Sequence, residues 1–229
     1  MNTVPKSYEE VKMMQESFWE IIHNRGEWWD LCFVPNSLAV DLQKIIPAKS
    51  SILEVGCSSG RDARYFASCG HSIIAMDFSQ IALRRMMDHA KQQGIDAQII
   101  PVHKNVAEGL PDLRPDSIDC FYSRSSLHVD DDTMVQLAKN ISLLTKKGGL
   151  IAIEGRTEND TPILESEKIG SGLAINWRQG GHLRRIWKKD FCMQLAQDFS
   201  WEIMALEERD DNFGNEKHLL RFIARKNIK

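Results

Sequence analysis

The chain has 229 residues, of which 42% are hydrophobic and 27% are charged, and its formal net charge at pH 7 is −3. This length suits one large α/β domain, and the basic residues form no long block, so we expect no nucleic-acid partner. No stretch approaches the roughly 18 apolar residues of a membrane span, and the first thirty residues lack the apolar core of an export signal, which predicts a cytoplasmic protein without a membrane partner.

Residues 1–49 are predicted to form a helical arm, because apolar residues from Val11 to Ile22 are spaced three and four apart. The arm either packs against the helices of the following domain or acts as a lid that excludes water from a ligand. We expect a lid, with one Trp or Tyr lining an acceptor pocket. The aromatic residues concerned are Tyr8, Phe18, Trp19, Trp28 and Trp29.

From Ser50 onward, short β-branched runs alternate with helical segments, a pattern typical of βα units. The sequence predicts a Rossmann-like, seven-stranded, mostly parallel sheet with helices on both faces. The predicted strands are Ser51–Val55, Ser72–Met76, Ala97–Val102, Ser117–Tyr122, Gly149–Glu154, Trp201–Glu207 and Leu219–Arg225. The predicted helices between them are Asp62–Ser68, Gln80–Gln92, Thr133–Leu144 and Lys189–Gln197.

Residues 157–187 are polar, contain glycine and show no clear period, so we predict a long loop that is either functional or mobile. The chain is predicted to be a single domain over residues 1–229. Its parts are the arm at 1–49, a cofactor-binding half at 50–156, and an acceptor loop with the last two strands at 157–229.

A glycine-containing turn, within "LEVGCSSGRD", joins the first predicted strand to a helix. The turn lacks the G-x-x-x-x-G-K-[ST] pattern of a triphosphate cradle, which argues against ATP. It also lacks G-x-G-x-x-G, because Ser58 stands where a glycine would approach a pyrophosphate, which disfavours NAD. Glu54, at the end of the strand, repels an anionic diphosphate and favours a ligand that carries positive charge.

Asp77 ends the second predicted strand, roughly 20 residues beyond Gly56, where an acidic residue binds ribose hydroxyls in nucleotide-binding βαβ units. The ligand therefore has a ribose, little or no phosphate and a cationic portion. S-adenosylmethionine has all three features.

Four motifs stand in order over residues 50–156: "LEVGCSSGRD", "MDFS", "SIDCFYSRSSLHV" and "LLTKKGGLIAIEG". With them the chain resembles the class I S-adenosylmethionine-dependent methyltransferases. It departs from the family at Ser58, where a middle glycine is usual. Within the superfamily, the cofactor half is most similar to the branch that acts on thiopurines, thiols and tellurite.

The resemblance implies a set of residues around S-adenosylmethionine. Glu54 and the backbone of the glycine turn surround the methionine part, Asp77 binds the ribose, and Phe78 lies against the adenine. The cofactor-binding residues implied are Glu54, Gly56, Cys57, Ser58, Gly60, Asp77, Phe78, Asn105, Ser123 and Arg124.

Three of these residues follow later strands. Asn105 falls near the position of an acid that contacts the adenine amino group, and its amide keeps one acceptor for that contact. Ser123 and Arg124, at the carboxyl end of the fourth strand, are expected to face the methyl-transfer cleft.

Candidate catalytic residues stand near the expected acceptor. His128, five residues past Ser123, is either a general base for an attacking hydroxyl or amine or a structural histidine bonded to backbone. His182 is a second candidate base, for which we predict an inflection near the ordinary pKa of about 6.5. The arginines beside it could clamp an acceptor carboxylate or phosphate, and Arg185 is taken as the candidate.

We predict no metal site. The run "VDDDT" at 129–133 has the carboxylates that hard cations prefer, but it precedes a helix, where Asp serves as a cap. The cysteines are odd in number and form no C-x-x-C pair, which argues against structural zinc and disulfides. They are Cys32, Cys57, Cys69, Cys120 and Cys192.

The predicted activity is in-line methyl transfer to an oxygen, nitrogen or sulfur atom of a small molecule, with S-adenosylhomocysteine as product. A small acceptor is favoured because the extra sequence lies at the arm and the 157–187 loop, both of which cover the cleft. The alternatives are a protein or peptide methyltransferase and a non-catalytic S-adenosylmethionine-binding protein. The oligomeric state stays open.

Overall fold

The computed structural model describes residues 8–26, 33–170, 172–179, 181–210 and 218–228, with the backbone alone for 8–13 and 179. The strands of the main sheet are β1 (Ser51–Val55), β2 (Ser72–Asp77), β3 (Ile99–His103), β4 (Ile118–Arg124), β5 (Thr145–Arg156), β9 (Trp201–Asp210) and β10 (His218–Lys226). A second sheet contains β6 (Glu167–Gly170), β7 (Leu173–Asn176) and β8 (His182–Arg185). The helices are α1 (Tyr8–Arg25), α2 (Ser37–Gln43), α3 (Arg61–Ser68), α4 (Gln80–Gln92), α5 (Asp131–Leu144), α6 (Thr161–Leu164) and α7 (Lys189–Asp198).

The main sheet has the strand order β3-β2-β1-β4-β5-β10-β9. Strands β1 to β5 pair in parallel, and β10 is antiparallel to both of its neighbours. The strand order reverses between β1 and β4, and ligands bind at the carboxyl ends of strands beside such a reversal. The predicted seven-stranded, mostly parallel fold with an N-terminal helix is confirmed.

Both faces of the sheet are buried. Leu53 and Phe121 belong to a core under α5 and α7, whereas Ile52 and Cys120 belong to a core under α2, α3 and α4. Neighbouring residues of one strand therefore serve opposite cores, which explains why these strands read as continuous apolar runs instead of alternating ones. No helix in the described part of the chain has the length and hydropathy of a membrane span.

The N-terminal arm contains two helices. α2 packs against α3, and α1 contacts α4 and β8. The guanidinium of Arg85 on α4 donates to the carbonyl oxygen of His23 at 2.7 Å, which fixes the end of α1. The predictions for Trp28, Trp29 and Cys32, and for the side chain of Tyr8, lie outside the described residues.

The prediction of a loop over 157–187 is wrong. This segment contains α6 and the antiparallel order β6-β7-β8. The strands are four residues long, and every residue of Leu173–Asn176 and His182–Arg185 is buried, so the sequence shows no alternation. Ile163 of α6 and Ile186, directly after β8, pack against Ala174 of β7, and this burial stabilises the short strands. We call α1 together with β6, β7 and β8 the roof.

Candidate cofactor and acceptor site

The turn between β1 and α3 requires glycine at two positions. Gly56 has φ +75°, and a Cβ atom there would lie 2.0 Å from the Cβ of Ser126. Gly60 has φ +78°, and its Cβ would lie 2.1 Å from the Cγ of Met86. Any side chain at either position would meet both an unfavourable φ and a steric clash. The turn therefore brings bare backbone to the carboxyl edge of β1.

Ser58, the departure from the family pattern, takes a left-handed conformation with φ +50°. Its backbone N–H donates to Oδ2 of Asp77 at 2.8 Å, which compensates for the conformational cost. The neighbouring Cys57 is buried, and its backbone N–H donates to the Met76 carbonyl oxygen at 3.1 Å. Burial raises the pKa of the Cys57 thiol well above its usual range, so this side chain is no nucleophile.

Glu54, at the end of β1, is a buried carboxyl group with an unfilled acceptor. It is 4% exposed, and its Oε2 has no hydrogen-bond partner among the described residues. Burial first, and repulsion from Asp62 second, raise the pKa of Glu54 well above its usual range, against the attraction of Arg61. A cation placed beside Oε2 would both fill the acceptor and favour ionisation.

Asp62 organises the neighbouring helix ends, although the sequence analysis did not single it out. It accepts a 2.8 Å hydrogen bond from the backbone N–H of Asn36, a second from the Asn36 side-chain amide, and a 2.7 Å bond from the hydroxyl of Tyr122. These bonds tie the start of α2 to α3 and β4. An acid in the first turn of a helix is common, so the identity of this residue contains no signal for the network.

Asp77 stands at the carboxyl end of β2, as predicted. Oδ1 accepts from the backbone N–H of Ser79 at 2.9 Å, and Oδ2 accepts from Ser58. Burial raises the pKa of Asp77, while the two backbone bonds and nearby His23 of α1 oppose the rise. Each carboxylate oxygen has a further lone pair, so Asp77 keeps capacity for two ribose hydroxyls.

The residues predicted to surround adenine are held by local bonds. Phe78 is half-buried, and its carbonyl oxygen accepts from Nε2 of His103 at 2.7 Å. Oδ1 of Asn105 accepts from the backbone N–H of Ala107 at 2.9 Å, and Nδ2 donates to Glu16 of α1 at 2.6 Å. The amide of Asn105 thus connects β3 to the roof, and its contact with adenine stays a prediction.

The end of β4 carries one buried hydroxyl and one arginine. Oγ of Ser123 donates to the carbonyl oxygen of Val55 at 3.0 Å, beside the glycine turn. Nε of Arg124 donates to Oε1 of Glu154 at 2.9 Å, and Oε2 of Glu154 accepts from Nε of Arg221 at the same distance. Arg124 thus braces β4 against β5, and the cleft-facing role predicted for it stays a prediction.

His182 of β8 lies among rings from two other segments. Its ring stacks on Phe18 with a centroid distance of 5.1 Å, meets Trp19 edge-on at 4.8 Å, and lies 5.7 Å from the ring of His128. The amide of Gln15 holds α1 at this edge, since Nε2 donates to the Gly181 carbonyl oxygen and Oε1 accepts from the Leu183 N–H. The arm and the 157–187 segment are therefore in contact, and their joint covering of the cleft stays a prediction.

The electrostatics of His182 correct its predicted titration. Burial lowers its pKa well below the usual range, and Arg184, His128 and Arg156 lower it further. The inflection near 6.5 is therefore not expected, because the ring stays neutral at physiological pH. Its Nε2 is buried and has no hydrogen-bond partner among the described residues.

The contacts of His128 support the role of a structural histidine bonded to backbone more than the role of a general base. Its Nδ1 accepts from the backbone N–H of Arg185 at 3.2 Å, and a further hydrogen bond joins the ring to the backbone of Ser125. Burial and the cationic field of Arg184 and its arginine neighbours lower the pKa of His128 to about 3. The ring is thus neutral and fixed between two backbone groups.

Arg185 is committed to protein contacts. It is 1% exposed, its Nη1 donates to the Val129 carbonyl oxygen at 2.8 Å, and its Nη2 pairs with Asp131. Its guanidinium also lies over the rings of Trp187 and Phe191. Successive residues of a strand point to opposite faces, so Arg184 is the arginine placed beside His182. The acceptor clamp predicted at Arg185 gains no support from these contacts.

The acidic run at 129–133 serves the start of α5. Oδ1 of Asp130 accepts from the backbone N–H of Thr133 at 2.7 Å, which is the capping role that the sequence predicts. Asp131 pairs with Arg185. In the described ranges, no three His, Cys, Asp or Glu side chains come together as a metal site.

The strand order, the antiparallel β10 and the site at the β1–β2 edge define a class I methyltransferase fold. A family model described as "Methyltransferase domain" matches residues 52–149. The chain therefore contains a methyltransferase domain over these residues and shares the fold of the class I S-adenosylmethionine-dependent methyltransferases.

Individual relatives are distant. The chain is 26% identical over 141 residues to a ribosomal protein L11 methyltransferase of Alkaliphilus metalliredigens. The aligned residues cover 60% of this chain and 41% of that relative. The 1,6-didemethyltoxoflavin-N1-methyltransferase of Burkholderia thailandensis superposes with TM-score 0.70 at 18% identity, over 99% of this chain and 93% of that one. A methyltransferase of Methanosarcina mazei gives TM-score 0.66 at 18% identity, over 82% and 98%.

Proposed function

We propose that this methyltransferase transfers a methyl group from S-adenosylmethionine to a small-molecule acceptor. The observation that carries the proposal is the unfilled Oε2 of buried Glu54, beside a turn that only glycine can form and one strand away from Asp77. An orphaned carboxyl oxygen needs a donor, and the ammonium group of S-adenosylmethionine is a donor of the right charge.

S-adenosylmethionine supplies an electrophilic methyl group on a sulfonium, which leaves with the bonding electron pair as the thioether of S-adenosylhomocysteine. The proposed task of the chain is alignment. Glu54 and the backbone of residues 56–60 hold the methionine part, Asp77 holds the ribose, and Phe78 and Asn105 lie toward the adenine. This assignment of residues follows the family pattern position by position.

His182 is the proposed general base for an acceptor that arrives protonated. Its ring is neutral, which is the form that accepts a proton, and its Nε2 has no bond to another described residue. A thiol or another soft anion would not need this help. His128 is proposed to position this region through its backbone bonds.

A small acceptor is favoured by the closeness of the roof. Glu16 reaches Asn105 and Gln15 bonds two backbone groups beside His182, so α1 runs along the carboxyl edge from β3 to β8. The Burkholderia structure, which shares the fold, has 1,6-didemethyltoxoflavin and S-adenosylhomocysteine bound. A protein acceptor is the second candidate, because the relative from Alkaliphilus is named for ribosomal protein L11.

Calorimetry tests the cofactor, and product analysis tests the acceptor. S-adenosylmethionine and S-adenosylhomocysteine should bind with micromolar affinity, whereas NAD and ATP should not; no heat from either adenosyl ligand would refute the cofactor assignment. The protein is then incubated with S-adenosylmethionine and either a small-molecule panel or ribosomal protein L11 with basic peptides. S-adenosylhomocysteine formed only with the protein or peptides would establish the second candidate, and even slow turnover would exclude a non-catalytic binding protein.

A further inference from the structure

A group of cationic and imidazole side chains, which we call the cationic cluster, lies where the end of β5 meets β8. His182 and Arg184 project from the same face of β8, because they are two residues apart in a strand. Both are buried, with His182 8% and Arg184 5% exposed. Arg156, at the end of β5, lies near enough to lower the pKa of Arg184.

The electrostatic field at the cationic cluster is positive, although Arg156 also pairs with Asp160 at 2.8 Å. Three neighbours perturb the pKa of His182 by charge, namely Arg184, His128 and Arg156, and each of them lowers it. The same two arginines lower the pKa of His128. Burial and Arg156 lower the pKa of Arg184 to about 10, while Asp160 opposes that change. A group of negative charge would be stabilised here.

The cationic cluster also contains an unfilled hydrogen-bonding atom. Nε2 of His182 is buried, and no described residue bonds to it. An unpaired buried polar atom is unfavourable, so a ligand with a polar atom at this point would gain binding energy. The rings of Phe18 and Trp19 lie against His182, so they could contact an apolar or aromatic body next to the polar group.

We propose that the methyl acceptor carries an oxyanion, a carboxylate or a phosphate monoester, which Arg184 binds, while the reacting hydroxyl or amine of the acceptor meets Nε2 of His182 under α1. This inference rests on the proposed function and names the class of its acceptor. Guanidinium is the side chain that matches the two oxygens of such groups, which gives Arg184 a role in specificity.

Binding of simple probes to the full-length protein tests the inference. Benzoate and phenyl phosphate are titrated with S-adenosylhomocysteine present, and benzamide serves as the neutral isostere of benzoate. Calorimetry gives the Kd, and NMR follows the ring signal of His182, which is identified by its loss in His182→Gln. We expect at least one anion to bind and shift that signal, and benzamide to do neither. The anion that binds with the lower Kd indicates whether the acceptor carries a carboxylate or a phosphate.

Two variants locate the binding. Arg184→Gln should weaken binding of the anion by about tenfold or more. Arg184→Lys should weaken it by less, since a lysine keeps the charge without the planar fork. The control is Arg178→Gln, an exposed arginine between β7 and β8, which should change nothing. Thermal melting checks that each variant is folded. If Arg184→Gln does not fold, the NMR shift of His182 in the wild-type protein still tests the inference.

The two proposals fail in different ways. Equal binding of benzamide and benzoate, no His182 shift with either anion, or equal effects of Arg184→Gln and Arg178→Gln would overturn the oxyanion site while normal binding of S-adenosylhomocysteine leaves the proposed function intact. Failure of S-adenosylhomocysteine to bind would instead refute the proposed function, and the acceptor assignment with it.

Discussion

The cofactor edge and the roof recognise their ligands by different means. The cofactor edge is formed by the ends of β1 and β2 with the turn at 56–60. Its shape depends mainly on backbone groups and positive-φ residues within about two dozen residues of sequence. In the roof, side chains from α1 and β8 meet although Gln15 and Leu183 are 168 positions apart. The first region therefore depends on local backbone geometry, and the second on long-range packing that can open.

The largest effect is expected at the cofactor edge from Gly56→Ala. The new Cβ would overlap Ser126 and impose strain at φ +75°, and each effect costs about 1–3 kcal/mol. We expect the affinity for S-adenosylhomocysteine, measured by calorimetry, to fall by a hundredfold or more, about 3 kcal/mol. Gly70→Ala is the matched control, because Gly70 has φ +88° and open space around its Cβ position. Equal losses in both variants would mean that backbone strain, and not the shape of the turn, controls binding.

Asp77→Ala is expected to cost about 1.5–3 kcal/mol of cofactor binding, since hydrogen bonds to a charged acceptor are of that size. It also removes the acceptor for the Ser58 N–H, so the turn itself should loosen. Calorimetry on Asp77→Ala and on Asp88→Ala, an exposed acid of α4, measures the difference. An unchanged affinity in folded Asp77→Ala would move the ribose contact to another residue.

Glu54→Gln separates ligand binding from stability. Because burial raises the pKa of Glu54, the folded state holds its proton more tightly than the unfolded state, so stability falls as pH rises from the unfolded pKa to the folded pKa. Glu54→Gln should therefore raise the Tm of the ligand-free protein at pH values above the ordinary pKa of Glu. The increase in Tm should be larger at higher pH. The same change should weaken the binding of S-adenosylmethionine about tenfold, or ~1.4 kcal/mol.

Exposed Glu202 on β9 provides the control for that experiment, because Glu202→Gln should alter neither Tm nor affinity. A Glu54→Gln protein that melts below wild type at pH 8 would show that Glu54 is ionised and paired in the ligand-free fold. The cofactor-binding role would then need another cationic partner.

The smallest effect is expected in the roof from Gln15→Ala. Two hydrogen bonds to β8 are lost, each worth about 0.5–1.5 kcal/mol, so α1 should open more often. We expect turnover of the acceptor to fall about threefold to tenfold in kcat/KM while the Kd of S-adenosylhomocysteine stays unchanged. Gln80→Ala, at the exposed start of α4, is the control. A loss of cofactor affinity equal to the loss of turnover would erase the distinction between the two regions.

The sequence by itself determined the main sheet and the positions of the cofactor edge. The seven strands, the turn at 56–60 and Asp77 at the end of β2 follow from apolar runs, glycine spacing and strand ends, all of which are local signals. Ser58 takes a left-handed conformation although it is not glycine, and the bond of its N–H to Asp77 compensates for that cost.

Only the tertiary structure decided the roof and the roles of its charged residues. The strands β6 to β8 are each four residues long. β6 is exposed at every position, whereas β7 and β8 are buried at every position, so none of them shows a period of two. The stability of β7 and β8 comes from contacts with α6 and α1. The choice between Arg184 and Arg185 depends on which face of β8 turns toward His182, a matter of one residue in strand register. The pKa of His182 depends on burial and on distant arginines brought together by folding, because a sequence contains neither the local dielectric nor the distances between charges.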